Sequence, residues 1–201
     1  MSLAVMATVF ALIVPAELPD KTFVATLVLT TRFRALPVFL GAALGLTVQA
    51  LIAVAAGSAV AQLPKTPVHA VSAAIFALGA VLMLRSSEDP AAEEREVAEE
   101  LAEVPPEPTT ARIFTTTFVV LFIAEWGDLT QLLTASLSAK YDEPVSVFIG
   151  SAAGLIAVAG IAVLGGKALL RVLPMLWIRR IAGAAFAAIA VVTALDAAGV
   201  V

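Results

Sequence analysis

The chain has 201 residues, of which 61% are hydrophobic and only 14% are charged. A soluble domain is usually about half apolar and about a quarter charged, so this composition excludes an ordinary soluble protein and indicates a membrane protein. The formal net charge is −4, and the chain has no Cys and a single His, which excludes disulfides, thiolate chemistry and a His-rich zinc or iron site.

Six apolar segments are each long enough to span a bilayer, which takes roughly 20 predominantly apolar residues. In chain order, the predicted spans are residues 3–31, 36–62, 67–84, 112–138, 144–170 and 175–197. The first segment has no Lys or Arg ahead of its apolar run, unlike a cleaved signal peptide, so we expect it to be a mature first helix. The sequence therefore predicts an all-α membrane protein with six transmembrane helices.

A polar stretch at residues 85–111 separates the first three spans from the last three. Nine of the sixteen carboxylates lie in it, and it ends in a proline-rich segment that is stiff and extended. We expect an acidic solvated linker; a cation-sensing or partner-binding element is the alternative. The predicted domains are a first three-helix repeat at 1–84, the linker at 85–111 and a second repeat at 112–201.

The two halves resemble each other in sequence, which indicates an internal duplication. The segment Glu17-Leu18-Pro19-Asp20-Lys21-Thr22 recurs 108 residues later as Glu125-Trp126-Gly127-Asp128-Leu129-Thr130, and Val38-Phe39-Leu40-Gly41 recurs 109 residues later as Val147-Phe148-Ile149-Gly150. Because each copy has an odd number of spans, the second copy enters the membrane from the opposite side. This pattern predicts two inverted three-helix repeats with a substrate site near the midplane between them.

Glycine pairs recur at matching points of the second and fifth spans. Gly41-x-x-x-Gly45 has its counterpart in Gly150-x-x-x-Gly154. Small residues at this spacing let the backbones of two membrane helices approach closely. We therefore expect tight helix contacts at both places.

Basic residues are concentrated on one side of the predicted topology. The side that holds the linker carries nine of them, and the other side carries only Lys65 and Lys140. Cytoplasmic loops are usually the more basic ones. We therefore expect a multi-pass protein of a bacterial-type cell (plasma) membrane, with a cytoplasmic linker and both termini outside.

Four carboxylates lie within the predicted spans: Glu17, Asp20, Glu125 and Asp128. A charge at mid-bilayer costs from about 2.5 kcal/mol upward, so such groups usually face a polar interior and serve a function. A spacing of three places each Glu and Asp pair on one helix face. This all-oxygen set suits Ca²⁺, Mn²⁺ or Mg²⁺ better than zinc or copper. A structural hydrogen-bonded cluster is the alternative.

Two threonines follow the carboxylates, but at a different angle around the helix. Thr22 and Thr130 come five positions after each Glu, about 140° around an ideal helix, so they reach the same site only if the helix is interrupted. Pro15 and Pro19 leave backbone carbonyls unpaired in the first span, and Gly127 loosens the fourth. The freed carbonyls are further candidate ligands. Alternatively, each Thr hydroxyl bonds to its own helix.

Three further polar side chains lie near the motifs. Lys21 follows Glu17 by four residues, so it can act as a counter-charge that couples ion exchange to protons, or form a structural ion pair. Gln131, in the fourth span, and Gln49, in the second, are auxiliary ligands or, as we favour, form hydrogen bonds between helices.

With both motifs identified, the sequence resembles the uncharacterised protein family sixteen group, the Golgi, chloroplast and bacterial Mn²⁺/Ca²⁺ transporters that belong with the cation/Ca²⁺ exchangers. The family signature, E-x-G-D-(K/R)-(T/S), occurs twice in a six-helix chain with an acidic central loop. Here Pro19 replaces the first Gly, and Leu129 replaces the second basic residue. The resemblance implies a cation site formed by the Glu, Asp and Thr of both motifs: Glu17, Asp20, Thr22, Glu125, Asp128 and Thr130.

The sequence thus predicts a secondary transporter that exchanges Mn²⁺ or Ca²⁺ for protons, rather than an enzyme. An intramembrane metal-dependent hydrolase and a cation channel are the alternatives. We expect the lipid bilayer, the divalent ion and protons as partners, no nucleic acid and no resident cofactor. A monomer and a homodimer are both open alternatives for the oligomeric state.

Overall fold

The computed structural model describes residues 1–18, 20–85, 108–172 and 175–199, although the side chains of Lys21, residues 166–172, Met175 and Arg179 lie outside that description. Helix makes up 88% of the described part, which contains no strand. Its eight helices are α1 (Leu3–Glu17), α2 (Lys21–Arg32), α3 (Ala35–Val60), α4 (Lys65–Arg85), α5 (Thr110–Ala124), α6 (Leu129–Tyr141), α7 (Pro144–Val172) and α8 (Met175–Ala197). The all-helical prediction is confirmed. Most of the predicted linker lies outside the described residues.

The first and fourth predicted spans each consist of two helices that meet at a bend. The angle is 66° between α1 and α2 and 71° between α5 and α6, whereas α3, α4, α7 and α8 are each long and apolar enough to cross a membrane. The described residues therefore contain four spans, or six if each bent pair counts as one. The interruption that the threonine positions require is present in both pairs.

Side-chain caps mark where the bent pairs begin. The Ser2 hydroxyl accepts a hydrogen bond from the Val5 N–H at the start of α1, and the Thr109 hydroxyl accepts one from the Arg112 N–H at the start of α5. Hydroxyl residues are favoured there because they satisfy amide groups that have no partner within the helix. Both bent pairs thus begin with the same kind of cap.

Helices of the first half pack mainly against helices of the second half. The most extensive contact joins α4 to α8, followed by α1 with α7 and α3 with α5 and α7. In addition, α2 packs against α7, and α6 packs against α3. Each bent pair is therefore held by a long helix of the other half, α7 for the first pair and α3 for the second.

The two glycine pairs lie at these contacts. A Cβ added to Gly41 would lie 2.6 Å from the Phe114 carbonyl oxygen of α5, and a Cβ added to Gly150 would lie 2.6 Å from the Met6 carbonyl oxygen of α1. Real Cβ atoms essentially never approach backbone oxygen so closely. The predicted close helix contacts are confirmed.

A polar contact that the sequence does not predict joins α6 to α8. The Lys140 Nζ donates a hydrogen bond to the Thr193 Oγ1 at 2.7 Å and lies 3.2 Å from the Asp196 Oδ2. Only 11% of the Lys140 side chain is exposed, although the sequence suggested a loop position. This ion pair connects the second bent pair to the last helix.

Candidate metal centre

The first break separates α1 from α2. Helix α1 ends at Glu17, and position 19 is a proline, which has no N–H to continue the helical hydrogen bonds. The Asp20 N–H donates to the Glu17 carbonyl at 3.0 Å, and Asp20 is the N-cap of α2. The break is therefore a short turn with an acidic residue at each end.

The second break separates α5 from α6 and has the same acidic ends. Helix α5 ends at Ala124, Glu125 is its C-cap, and the Asp128 N–H donates to the Glu125 carbonyl at 3.3 Å. Gly127 lies between them with a φ of 79°, a left-handed conformation that glycine adopts without steric cost. Both breaks thus share a hydrogen bond from the Asp N–H to the Glu carbonyl, and the second also contains a glycine with positive φ.

Three carboxylates from the two breaks converge. One oxygen each from Glu17, Asp20 and Glu125 lies within 4.8 Å of the other two. Glu17 is 0% exposed and Glu125 is 3% exposed. Neither Glu17 oxygen has a hydrogen-bond partner among the described residues. The bends thus bring together acidic groups that are more than a hundred residues apart in the chain.

This geometry has the dimensions of a metal site. Burying a carboxylate such as Glu17, which has no hydrogen-bond partner among the described residues, costs several kcal/mol unless it is neutralised or binds a metal ion. Oxygen ligands lie about 2.3–2.6 Å from Ca²⁺ and closer to smaller ions, so ligands on opposite sides of an ion are about 5 Å apart or less. The 4.8 Å spread of the three oxygens falls within that limit. The group could therefore hold one divalent cation.

The fourth predicted ligand, Asp128, lies close to this group but outside it. Its Oδ2 accepts a hydrogen bond from the Thr130 N–H at 3.0 Å and so caps α6. It is still near enough to interact electrostatically with Glu17 and Glu125. Asp128 thus adds negative charge to the site while one of its oxygens is occupied by the helix.

The two predicted threonines are both buried, Thr22 at 2% and Thr130 at 5% exposure. The Thr22 hydroxyl has no hydrogen-bond partner among the described residues, so the alternative, a bond to its own helix, is not seen there. Thr130 lines a cavity with Glu125. The predicted role of Lys21 falls on a side chain outside the description, and Pro19 lies outside it altogether.

A small cavity lies beside Glu125. Its volume is about 10 Å³. It is lined by the polar residues Gln49, Glu125, Thr130, Gln131 and Thr134 and by the apolar residues Leu46, Ala50, Ala53 and Leu155. That volume is at the lower limit for a single water molecule. Sequence reasoning missed Thr134; the available signal was its position four residues, or one helical turn, after Thr130.

The glutamines form hydrogen bonds with each other and with the backbone of the second break. The Gly127 N–H donates to the Gln131 Oε1 at 2.8 Å, and the Gln131 Nε2 donates to the Gln49 Oε1 at 2.5 Å. The Gln49 Nε2 donates in turn to the Phe122 carbonyl at 2.5 Å. Pro15, the remaining candidate, lies within the last turn of α1.

Both halves of the chain match one protein family. Residues 5–91 and 113–200 fit the family described as "Divalent cation/proton antiporter GDT1". The chain belongs to this family. The GDT1 family is one of transporters rather than enzymes, so the resemblance inferred from the two motifs is confirmed, and the hydrolase alternative has no support.

Named relatives of this chain come from plants and a cyanobacterium. The chain is 31% identical to "Protein PAM71, chloroplastic" of Arabidopsis thaliana, over 94% of this chain and 56% of that protein. It is 32% identical to "GDT1-like protein 1, chloroplastic" of Oryza sativa subsp. indica, over 94% and 61%. It is 29% identical to "GDT1-like protein sll0615" of Synechocystis, over 78% and 80%. The chain thus spans little more than half of PAM71. No solved structure matches it.

The predicted location in a plasma membrane is wrong. Two relatives that align with 94% of the chain are named chloroplastic, which points to an organelle membrane. The multi-pass character of the protein is supported. The basic residues distinguish the two sides of a membrane, but they carry no information on which membrane it is.

Proposed function

We propose that this GDT1-family chain exchanges a divalent cation, Mn²⁺ or Ca²⁺, for protons. The observation that carries this proposal is the convergence of Glu17, Asp20 and Glu125, from two separate helix breaks, within 4.8 Å. A buried group of carboxylates can take up either a metal ion or protons, and the two compete for the same oxygens. That competition is the basis of exchange.

The ligand set proposed for the ion has the three converging carboxylates at its centre. Asp128 contributes charge and its second oxygen, and the Thr22 and Thr130 hydroxyls are the neutral ligands. An oxygen-only set suits Ca²⁺ and Mn²⁺ equally in ligand type, because these ions differ in size and ligand number. Lys21, which follows Asp20 directly, is proposed as the resident counter-charge.

We further propose that residues 1–84 and 112–201 are inverted repeats that rock against each other around this site. The reciprocal packing supports this proposal, since α1 and α2 lie against α7 while α5 and α6 lie against α3. So does the match between Gly41 and Gly150, each of which approaches a backbone oxygen of the other half. Inverted repeats with broken helices at their interface are common in secondary transporters.

The deciding experiment is a flux assay in proteoliposomes that contain the purified protein and a pH-sensitive dye. Addition of Mn²⁺ or Ca²⁺ outside should release protons from the lumen in a saturable way, with Mg²⁺ and Na⁺ run for comparison. Glu17→Gln, Asp20→Asn and Glu125→Gln should abolish the signal while the protein still inserts. Glu143→Gln, which removes a carboxylate in the α6–α7 loop, is the matched control.

Three results would contradict the proposal. Wild-type flux in the three site variants would show that the carboxylates are dispensable. Cation flux that neither saturates nor responds to a proton gradient would indicate a channel. Absence of any divalent-cation flux in the wild type would leave no support for transport by this chain.

A further inference from the structure

The buried Gln49 and the half-buried Gln131 form a continuous series of hydrogen bonds across the second break. The Gly127 N–H, which follows Glu125, donates to Gln131, and Gln131 donates to Gln49. Gln49 then donates to the Phe122 carbonyl, which precedes Glu125. Gln49 belongs to α3, so these hydrogen bonds also connect the break to the helix that packs against it. We name these two side chains the glutamine brace.

The backbone fixes the direction of the brace. An N–H can only donate and a carbonyl can only accept, so Gly127 requires the Gln131 oxygen, and Phe122 requires the Gln49 nitrogen. The remaining Gln131 nitrogen and Gln49 oxygen then face each other as donor and acceptor. Both amides are therefore oriented by their partners, and the brace is complete only when both glutamines are present.

The brace satisfies backbone groups that the break leaves without helical partners. Phe122 lies in the last turn of α5, where carbonyls lack a partner within the helix, and Gly127 lies in the turn itself. An unsatisfied backbone group in a membrane interior costs several kcal/mol. Since one contact precedes Glu125 and the other follows it, the brace holds the backbone on both sides of that carboxylate.

At the two matching positions, the chain has apolar residues in place of the glutamines. The residues that match Gln131 and Gln49 across the duplication, by offsets of 108 and 109, are Phe23 and Val158. Neither side chain forms hydrogen bonds, and both belong to an apolar cluster with Leu27 and Ala162. The two pairs of matching positions therefore differ in chemistry, with hydrogen-bonding side chains in one pair and apolar packing in the other.

We infer that Gln49 and Gln131 are positioning residues that hold Glu125 in place through the backbone of the second break. This inference rests on the proposed transport function. The hydrogen bonds on both sides of Glu125 are directional, so they specify one geometry for this break. Each glutamine oxygen accepts one hydrogen bond within the brace, and on this inference the glutamines act on the ion through Glu125 and not as its ligands.

The test compares Gln131→Met and Gln49→Met, which keep the length of the side chain and remove its amide. In proteoliposomes, each variant should raise the apparent KM for Mn²⁺ on the order of 10- to 100-fold, the usual effect of losing an outer-shell partner. In the metal-free protein, each should also speed hydrogen exchange at the Gly127 amide. Gln49 does not touch Gly127, so its effect there reports that the brace acts as a unit.

Ser138→Ala is the matched control. The Ser138 hydroxyl lies on α6, two turns beyond Thr130, and bonds across to the Val54 carbonyl of α3 at 3.1 Å. Its loss removes a buried bond at the same α3–α6 interface without touching the break. Ser138→Ala should leave both the KM for Mn²⁺ and exchange at Gly127 unchanged.

Each other result overturns the inference. A raised KM with wild-type exchange at Gly127 would make the glutamines ligands. Faster exchange with an unchanged KM would make the brace purely structural, and equal effects of Ser138→Ala would indicate general loosening. Each methionine variant tests the inference by itself. If one of them fails to insert into the membrane, the other still decides the question. Absence of Mn²⁺ flux in the wild type would instead refute the proposed function, and the inference with it.

Discussion

The two helix breaks form similar turns from different residues. In each, the amide of the Asp donates to the carbonyl of the Glu three residues before it, at 3.0 Å in the first break and 3.3 Å in the second. The second break contains a glycine with positive φ, whereas the sequence of the first has a proline between its two acidic residues. The same hydrogen bond between Asp and Glu thus occurs in two motifs of different sequence.

The carboxylates of the two breaks are nevertheless unequal. Asp20 makes no capping hydrogen bond to α2 and belongs to the converging group, whereas Asp128 caps α6 and lies outside that group. Duplicated motifs therefore need not contribute equally to a shared site. We expect the second break to be the structural half and the first to carry more of the ion contact.

The largest expected effect comes from comparing the two aspartates. Asp20→Asn removes the charge of a proposed ligand, and losing one partner of a buried charged contact costs about 2–5 kcal/mol. Asp20 is half-buried, and Mn²⁺ transport should fall on the order of 100-fold or more. Asp128→Asn should cost less, because asparagine caps helices as well as aspartate does and only the proposed charge and second oxygen of Asp128 are lost. Initial rates in proteoliposomes at matched protein density measure both. Equal losses of Mn²⁺ transport in the two variants would show that the two aspartates contribute equally to the site.

The next effect concerns the helix contacts that the two halves share. Gly41→Ala and Gly150→Ala each place a methyl group 2.6 Å from a backbone oxygen, which should destabilise the fold by about 1–3 kcal/mol. Gly160→Ala is the control, since its Cβ would lie 3.7 Å from Phe39, an ordinary contact. Thermal unfolding in detergent should show matched losses for the first two variants and little change for the third. A loss in only one half would argue against reciprocal packing.

Much of the fold could be predicted from the sequence because membrane spans depend on local composition. Hydropathy locates all six apolar segments, and the prolines and glycine mark where two of them are interrupted. The bend angles could not be predicted, because they depend on how α7 and α3 hold each broken pair. The contact between Lys140 and Asp196 could not be predicted either, since it joins two helices that are not adjacent in the chain.

The sequence names candidate residues for the site, but it does not predict their geometry. Helix periodicity places Glu17 and Asp20 on one face, yet these residues flank a break, and their convergence with Glu125 depends on tertiary packing. The difference between Asp20 and Asp128 arises from a local capping bond that the shared motif conceals. The glutamine brace needs three-dimensional contacts across 82 residues, which spacing alone does not reveal.

A smaller effect tests the glycine in the second break. A Cβ added to Gly127 would meet no atom within 4 Å, but its φ of 79° disfavours any other residue. Gly127→Ala should therefore cost about 1–2 kcal/mol from backbone strain alone and raise the KM for Mn²⁺. Gly199→Ala is a matched control with a φ of 69° and equally open space, beyond the end of α8. Equal effects of both variants on KM would remove the special role of the second break.

The smallest expected effect concerns the first turns of α7 and α3, the two long helices that pack against the breaks. Residue 143 before α7 is a glutamate, whereas the matching residue before α3, at an offset of 109, is Arg34. The Ser146 hydroxyl donates to the Glu143 carboxylate at 2.6 Å, and this hydrogen bond lowers the pKa of Glu143 below its usual range. A carboxylate at a helix N-terminus is also favoured by the helix dipole.

Because the folded pKa of Glu143 is lowered, its ionised form stabilises the fold above the unfolded pKa of about 4.3, and the contribution disappears as the pH falls through the lower folded value. Glu143→Gln is neutral throughout. The wild type should therefore melt slightly above this variant at pH 7, and the difference should shrink steadily toward pH 3. If the difference in melting temperature instead grows as the pH falls, the Glu143 carboxylate is disfavoured at the start of α7. The charged residue before the first turn would then stabilise neither α7 nor α3.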